Sequence, residues 1–443
     1  MRIQLSDHFS YSRLLRFTLP SIIMMVFTSI YGVVDGIFVS NYTGTTSFAA
    51  VNIIWPFLQG LSAVGFMIGT GGSALVAKLL GEGDNKKANE TFSMLVYASC
   101  ILSLALSALS FIFMDKIAML LGAEGNMIGD CVLYGRILVC ALPFFMFQAV
   151  FQSFLITAEK PKLGLVITVV AGVTNIIGDA LFVGVFKWGL SGAALATALS
   201  QFIGGAIPLY YFVSSKNDSL LHLGKARFDA RSFLKASSNG VSEMTTNLSM
   251  SIVSILYNLK LMAIAGENGV AAYGVIMYLN FVFVSIFLGY SLGFAPIVSF
   301  NFGAQNHDEL KSIFKKSTVI FIVSGFSMLL IGILASSPLS ASFVGYDRVL
   351  FEMTKRGMII YCISFIFSGI NIFASSFFTA LNNGLISAVI SLSRTFFFQI
   401  IAISVLPVFW GLDGIWFSVV VAEGISLLIS VFFLVKMRKR YNY

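Results

Sequence analysis

The chain has 443 residues, 28 Lys and Arg against 20 Asp and Glu, a net charge of +8 and 57% hydrophobic content. Only 11% of residues are charged, where soluble domains carry about 25%, and mean hydropathy is +0.90, which excludes an ordinary soluble protein and identifies an all-α integral membrane protein. The basic residues are scattered over many short loops, so the positive balance does not describe a nucleic-acid surface.

Apolar runs of the length that crosses about 30 Å of hydrocarbon recur along the whole chain, and twelve spans are expected. In order they are 14–40, carrying Pro20 and Asp35; 48–78; 91–114; 132–157, carrying Arg136 and Pro143; 163–184, carrying Asn175 and Asp179; and 190–213, carrying Thr197 and Gln201. After a polar segment, 214–235, come 236–260, carrying Glu243; 270–300; 316–335; 357–380; 385–406, carrying Arg394; and 412–435, carrying Glu423. The first span is longer than the apolar core of a signal peptide and no small-residue cleavage site follows it, so it is expected to be retained. Cys100, Cys131, Cys140 and Cys362 fall in or beside spans without metal-ligand spacing.

The distribution of Lys and Arg sets the orientation. With the N-terminus in the cytoplasm, twenty basic residues, among them Arg2, Lys78, Lys86, Lys87, Lys311, Lys315 and Arg438, fall inside and six outside. Both termini are therefore expected in the cytoplasm and the protein in the cell membrane.

The chain also repeats. Trp188-Gly-Leu-Ser-Gly192 returns as Trp410-Gly-Leu-Asp-Gly414 at an offset of 222 residues, which also pairs Ala49-Ala50 with Ala271-Ala272, Gly71 with Gly293, Gly81 with Gly303 and Thr157-Ala158 with Thr379-Ala380. Each half holds six spans, an even number, so the halves share one orientation. This is the plan of two parallel repeats with a site between them: an N-terminal lobe over 1–213, an inter-lobe loop over 214–235 and a C-terminal lobe over 236–443, around a central cavity.

Four polar side chains stand out. Asn175 and Asp179 lie one helical turn apart on one face. By the rise of 1.5 Å per residue, Asp35 and Asp179 each lie about 7 Å from the outer ends of their spans, Asn175 about 13 Å and Thr197 about 10 Å. Intramembrane carboxylates are costly and mark ion or substrate paths. Two carboxylates, an amide and a hydroxyl suit a hard cation such as Na⁺, and two neighbouring carboxylates can hold a proton instead. The competing reading makes Asp35 a solvated helix-end residue and Asn175 with Thr197 interhelical hydrogen bonding alone.

Arg394 and Glu423 each sit halfway along a span and are expected to pair in the C-terminal half, as a structural ion pair. Gln201 is the repeat counterpart of Glu423. Glu243 is placed near the start of its helix. Pro20 and Pro143 are candidate hinges, and the 44 Phe and 17 Met, including Phe144-Phe-Met-Phe-Gln148 and Met24-Met25, offer soft and cation–π contacts for flat cations.

Tyr31-Gly-Val-Val-Asp35-Gly-Ile-Phe-Val39, Ala49-Ala50-Val51, Trp55-Pro56, Gly81-Glu-Gly-Asp84, Asn175 with Asp179, and Gly189-Leu-Ser-Gly-Ala-Ala-Leu-Ala-Thr197 together resemble the multidrug and toxic compound extrusion (MATE) family, in its prokaryotic branch with paired aspartates in the N-terminal lobe. The resemblance covers essentially the whole chain. It implies an antiporter that expels organic, often cationic, compounds in exchange for H⁺ or Na⁺, with a cation-responsive site at Asp35, Asn175, Asp179 and Thr197. Another branch uses acids in spans seven and ten, and span ten here has none.

No organic cofactor is expected, only the coupling ion, H⁺ or Na⁺. The partners expected are small organic substrates and membrane lipid, with no nucleic acid and the chain acting as a monomer. A lipid-linked sugar flippase of the same superfamily is the alternative, for which only Arg136 and Arg394 could meet a pyrophosphate. A membrane-embedded enzyme is not expected, because no span carries a His and the chain has no HExxH, Walker or GxSxG motif.

Overall fold

Helix starts are fixed by short polar side chains. In the computed structural model, which describes residues 3–43, 45–125 and 127–443, Ser10 accepts from the Arg13 N–H, Asp84 from Lys87, Asp229 from Arg231, Asn306 from Glu309, Asp347 from Val349 and Leu350, and Asn383 from Ile386. Each satisfies a donor that the helix cannot satisfy itself. Arg2, counted above among the inner basic residues, lies outside the described residues.

All regular structure among the described residues is helical. The first half holds α1 (Tyr11–Tyr42), α2 (Thr45–Gly81), α3 (Asn85–Leu120), α4 (Met127–Thr157), α5 (Pro161–Gly178), which continues as a π-helix over Asp179–Val185, and α6 (Gly189–Val213). The second half holds α7 (Ala230–Gly303), α8 (His307–Val344), α9 (Arg348–Cys362), α10 (Ser364–Ala380), α11 (Gly384–Leu392), a π-helix over Ser393–Phe397, and α12 (Phe398–Tyr441). At 74 residues, α7 is far too long for one crossing. Gly266 (φ 62°, ψ −152°) divides it, and Gly411 (φ 55°, ψ −130°) divides α12. Such backbone is open to glycine and strained for other residues.

Among the described residues nine helical stretches are long and apolar enough to cross a membrane, and α9 with α10, bent by 42°, makes a tenth. The breaks at Gly266 and Gly411 split two of these, giving the expected twelve. Large apolar side chains remain exposed on the outer faces, including Ile101, Ile112, Leu330, Leu334, Leu428 and Val435, as lipid contact requires. Boundaries differ from expectation where charge masks a helix. Thus α9 starts at Arg348 instead of 357, because Glu352, Lys355 and Arg356 lower its hydropathy while Asp347 caps it. The tenth crossing then breaks between Cys362 and Ser364.

The two halves meet through α1 and α2 against α7, and the contact is itself twofold. A Cβ on Gly81 would lie 2.0 Å from the Phe300 carbonyl oxygen, and one on Gly303 would lie 2.1 Å from that of Lys78; both pairs of positions are related by the 222-residue offset. The same holds for Gly71 against Gly240 and Gly293 against Thr18. Hydrogen at these positions lets backbone touch backbone. These contacts cluster at the end of the bundle that carries the chain's basic loops, and run inward to Gly60 beside Leu248 and Ser29 hydrogen-bonded to Ser285. At that basic end Asn382 also donates to the Ala74 carbonyl across the halves, at 3.3 Å.

Candidate cation site in the first half

Helix α5 approaches α6 through Gly178, where a Cβ would stand 2.8 Å from that of Ala196. The next residues on the two helices are Asp179 and Thr197, so this small-residue contact carries the polar pair with it. The Asp179 N–H still bonds back to the Asn175 carbonyl, keeping the two side chains one turn apart. Beyond this point the helix widens into the π-helix Asp179–Val185, a local unwinding that re-aims side chains and recurs at functional sites.

The four residues singled out from sequence come together. Asn175 donates to Thr197 Oγ1 at 3.4 Å, and Thr197 donates to Asp35 Oδ1 at 3.4 Å. Asp35, on α1, also faces Asn175 and the Asp179 carboxyl. Asp179 is fully buried and Asn175 nearly so, Thr197 is 9% exposed, and Asp35 is half-buried. Neither Asp179 oxygen meets a hydrogen-bond donor among the described residues, and Asn175 Oδ1 is likewise without one. Two ionised carboxylates facing each other offer each other acceptors only, so one of them must share a proton or both must face a cation to be satisfied. Buried polar atoms are otherwise almost always satisfied, so three acceptor oxygens gathered here have the chemistry to hold a proton or a hard cation.

Three further side chains surround the acids. Tyr31, one turn before Asp35, lies beside Asp35 and Gln148, and Tyr134 of α4 is buried close to both aspartates. The spacing of Tyr31 from Asp35 could have revealed the first; nothing in the sequence around Tyr134 or Gln148 distinguishes them from core. Pro20 lies within α1, which is helical throughout, and Pro143 lies within α4.

In the second half, Arg394 Nε donates to Glu423 Oε1 at 3.0 Å. Asn371 of α10 donates to Glu423 Oε2 at 2.7 Å and to its carbonyl at 2.9 Å, and Ser430 donates to Asn371 Oδ1 at 2.7 Å. Asn371 was not picked out from sequence. Glu243 lies deeper than its expected place near a helix start, because α7 begins at Ala230, and it is close to Arg394. Arg136 pairs with Asp115 at 2.6 Å and covers the Phe111 ring at 5.3 Å.

Comparison with known proteins agrees with this architecture. The chain is 25% identical over 436 residues to "Multidrug export protein MepA" of Staphylococcus haemolyticus (strain JCSC1435), covering 97% of this chain and 94% of that protein. A solved structure described as the outward-facing conformation of a multidrug resistance MATE family transporter of the MOP superfamily superposes with a TM-score of 0.92 at 21% identity, over 98% of this chain and 97% of that one. A MATE protein solved in complex with MaL6 superposes at 0.91, with 20% identity over 98% of both chains. These proteins are exporters and transporters, not enzymes. The MatE family model matches residues 20–181 and 244–404, well over half of the chain and once in each half, and the chain therefore belongs to the MatE family.

Proposed function

We propose that this protein exports organic cations across the cell membrane in exchange for H⁺ or Na⁺, as a single chain with both termini in the cytoplasm. The lobes 1–213 and 236–443, joined by the loop 214–235, rock around a central cavity between them. The observation that carries this reading is the Asp179 carboxyl, fully buried, facing Asp35 and without a donor on either oxygen. A group so placed has its hydrogen-bonding capacity filled only when a cation arrives. The names of the relatives support export of drug-like compounds, and the excess of Lys and Arg at one end of the bundle supports the orientation.

Lipid-linked sugar transport would need free guanidinium groups for a pyrophosphate, and Arg136 and Arg394 are both engaged by carboxylates. Efflux of a fluorescent organic cation from proteoliposomes, with a pH gradient and a Na⁺ gradient imposed separately, tests the proposal. One of the two gradients should drive movement against a substrate gradient; if neither does, the antiport reading fails.

A further inference from the structure

At the basic end of the second half a cavity of about 330 Å³ opens between α8 and the end of α12, lined by Lys311, Phe314, Lys315, Thr318, Arg438 and Tyr443. Lys311 and Lys315 are exposed and stand one turn apart on α8, where like charges repel. Among the described residues no Asp or Glu side chain lies within 4.0 Å of either lysine nitrogen or of the Arg438 guanidinium. Arg438 is oriented by its Nε, which donates to the Tyr443 carbonyl at 3.1 Å. Tyr443 is in turn fixed by its hydroxyl on the Leu434 carbonyl at 2.7 Å and by Phe314 and Phe377, each with ring centroids 4.8 Å away. The wall is thus built, and three basic side chains converge on it with no acidic side chain paired to any of them.

From Val319, which also lines the cavity, the same face of α8 continues away as Ile322, Phe326 and Leu330, all four exposed, at the spacing of three and four residues that keeps them in line. On a membrane-spanning helix this stripe lies against hydrocarbon, and it runs directly into the cationic cavity. We infer that the cavity is a binding site for an anionic phospholipid, its phosphate held by Lys311, Lys315 and Arg438 and an acyl chain laid along the α8 stripe. Basic pockets between membrane helices at the headgroup level recognise such lipids. A free phosphate could use the three cations and would leave the stripe unused. The lipid would tie α8 to α12 across α10, stiffening one lobe without touching the cation site of the other.

The test uses the full chain in nanodiscs and in mild detergent. Native mass spectrometry after delipidation should find dioleoyl phosphatidylglycerol retained over dioleoyl phosphatidylcholine, and adding phosphatidylglycerol should raise the melting temperature. The triple variant K311Q/K315Q/R438Q should lose at least about tenfold in phosphatidylglycerol occupancy, because each basic residue adds an increment of attraction. A control that removes three other basic-end charges, K86Q/K87Q/K225Q, should retain the lipid. Equal retention of the two lipids by the wild type, or equal loss in the control variant, would overturn the inference. So would equal stabilisation by inorganic phosphate, which would make the cavity a site for a free anion. The experiment is independent of whether H⁺ or Na⁺ drives transport.

Discussion

The Leu5 N–H donates to Glu159 Oε1 at 2.8 Å, across 154 residues and onto the turn between α4 and α5. Four residues later the Phe9 N–H donates to Glu309 Oε1 at 2.8 Å, at the start of α8. Lys316 donates to the Phe9 carbonyl. The segment before α1 is therefore strapped to both halves at the basic end, where the halves also touch.

The strap should help keep that end closed. Hydrogen bonds to charged groups contribute about 1.5–3 kcal/mol, so Glu159→Ala and Glu309→Ala should each speed hydrogen exchange at the amide they accept from by about tenfold or more. The double variant should raise solvent access along α2 near Lys78. Unchanged exchange at Leu5 and Phe9 would show that the strap holds nothing.

Glycine contact between the halves predicts a paired effect. Gly81→Val and Gly303→Val should each wedge the basic end apart, since their Cβ atoms would meet the carbonyls of Phe300 and Lys78 at 2.0 and 2.1 Å. Spin labels flanking the contact should separate by several ångström in both variants, and export should fall by at least about tenfold. Normal cycling in either one would mean that the halves do not need this contact to close.

The Arg394–Glu423 pair makes a thermodynamic prediction. Removing one partner leaves a buried charge unpaired, at about 3–5 kcal/mol, so Glu423→Gln should lower the melting temperature in detergent sharply. Adding Arg394→Met should recover much of the loss. Asn371 narrows the recovery, because its amide would lose the Glu423 side-chain acceptor. Additive losses in the double variant would contradict a direct pair.

Acid should loosen the inter-lobe segment. Asp218 receives Lys160 Nζ at 2.5 and 2.6 Å and the Tyr211 hydroxyl at 3.0 Å, and these hydrogen bonds hold its carboxyl down at about 2. A group lowered on folding contributes stability above its unfolded value, near 4, and loses it as pH falls through the folded value. Protection of amides in residues 214–224, taken relative to the intrinsic exchange rate at each pH, should therefore be constant above about pH 4 and fall between about pH 4 and 2. Lys160→Met should move the midpoint up toward ordinary carboxylates; an unmoved midpoint would contradict the assignment.

The repeat and the hydropathy made the twelve crossings legible, because both are properties of composition and spacing. Asp35, Asn175, Asp179 and Thr197 could be selected because polar groups in apolar helices are few and costly. What sequence could not supply was which buried tyrosine faces the acids. Tyr134 looks like any core aromatic until α4 is packed against the other helices. Asn371 escapes notice for a related reason: an amide in the middle of a helix rich in Ser and Phe gives no hint that it bridges to Glu423 from 52 residues away. The start of α9 was misplaced because amphipathic charge conceals a crossing from hydropathy.

If antiport runs through the first-half site as proposed, a cation entering between Asp35 and Asp179 weakens substrate binding in the central cavity expected between the lobes. Linkage requires the reverse as well, with substrate weakening cation binding by the same factor. The most direct measurement is the equilibrium affinity of a fluorescent organic cation for the purified protein, titrated against H⁺ from pH 8 to pH 5 and separately against Na⁺, in the wild type and in Asp35→Asn and Asp179→Asn. One ion should lower the wild-type affinity by about 5- to 150-fold, the range of ordinary coupling, and both variants should bind substrate with an affinity indifferent to that ion. A wild-type affinity unmoved by either ion, or a full ion response surviving in Asp179→Asn, would contradict this coupling.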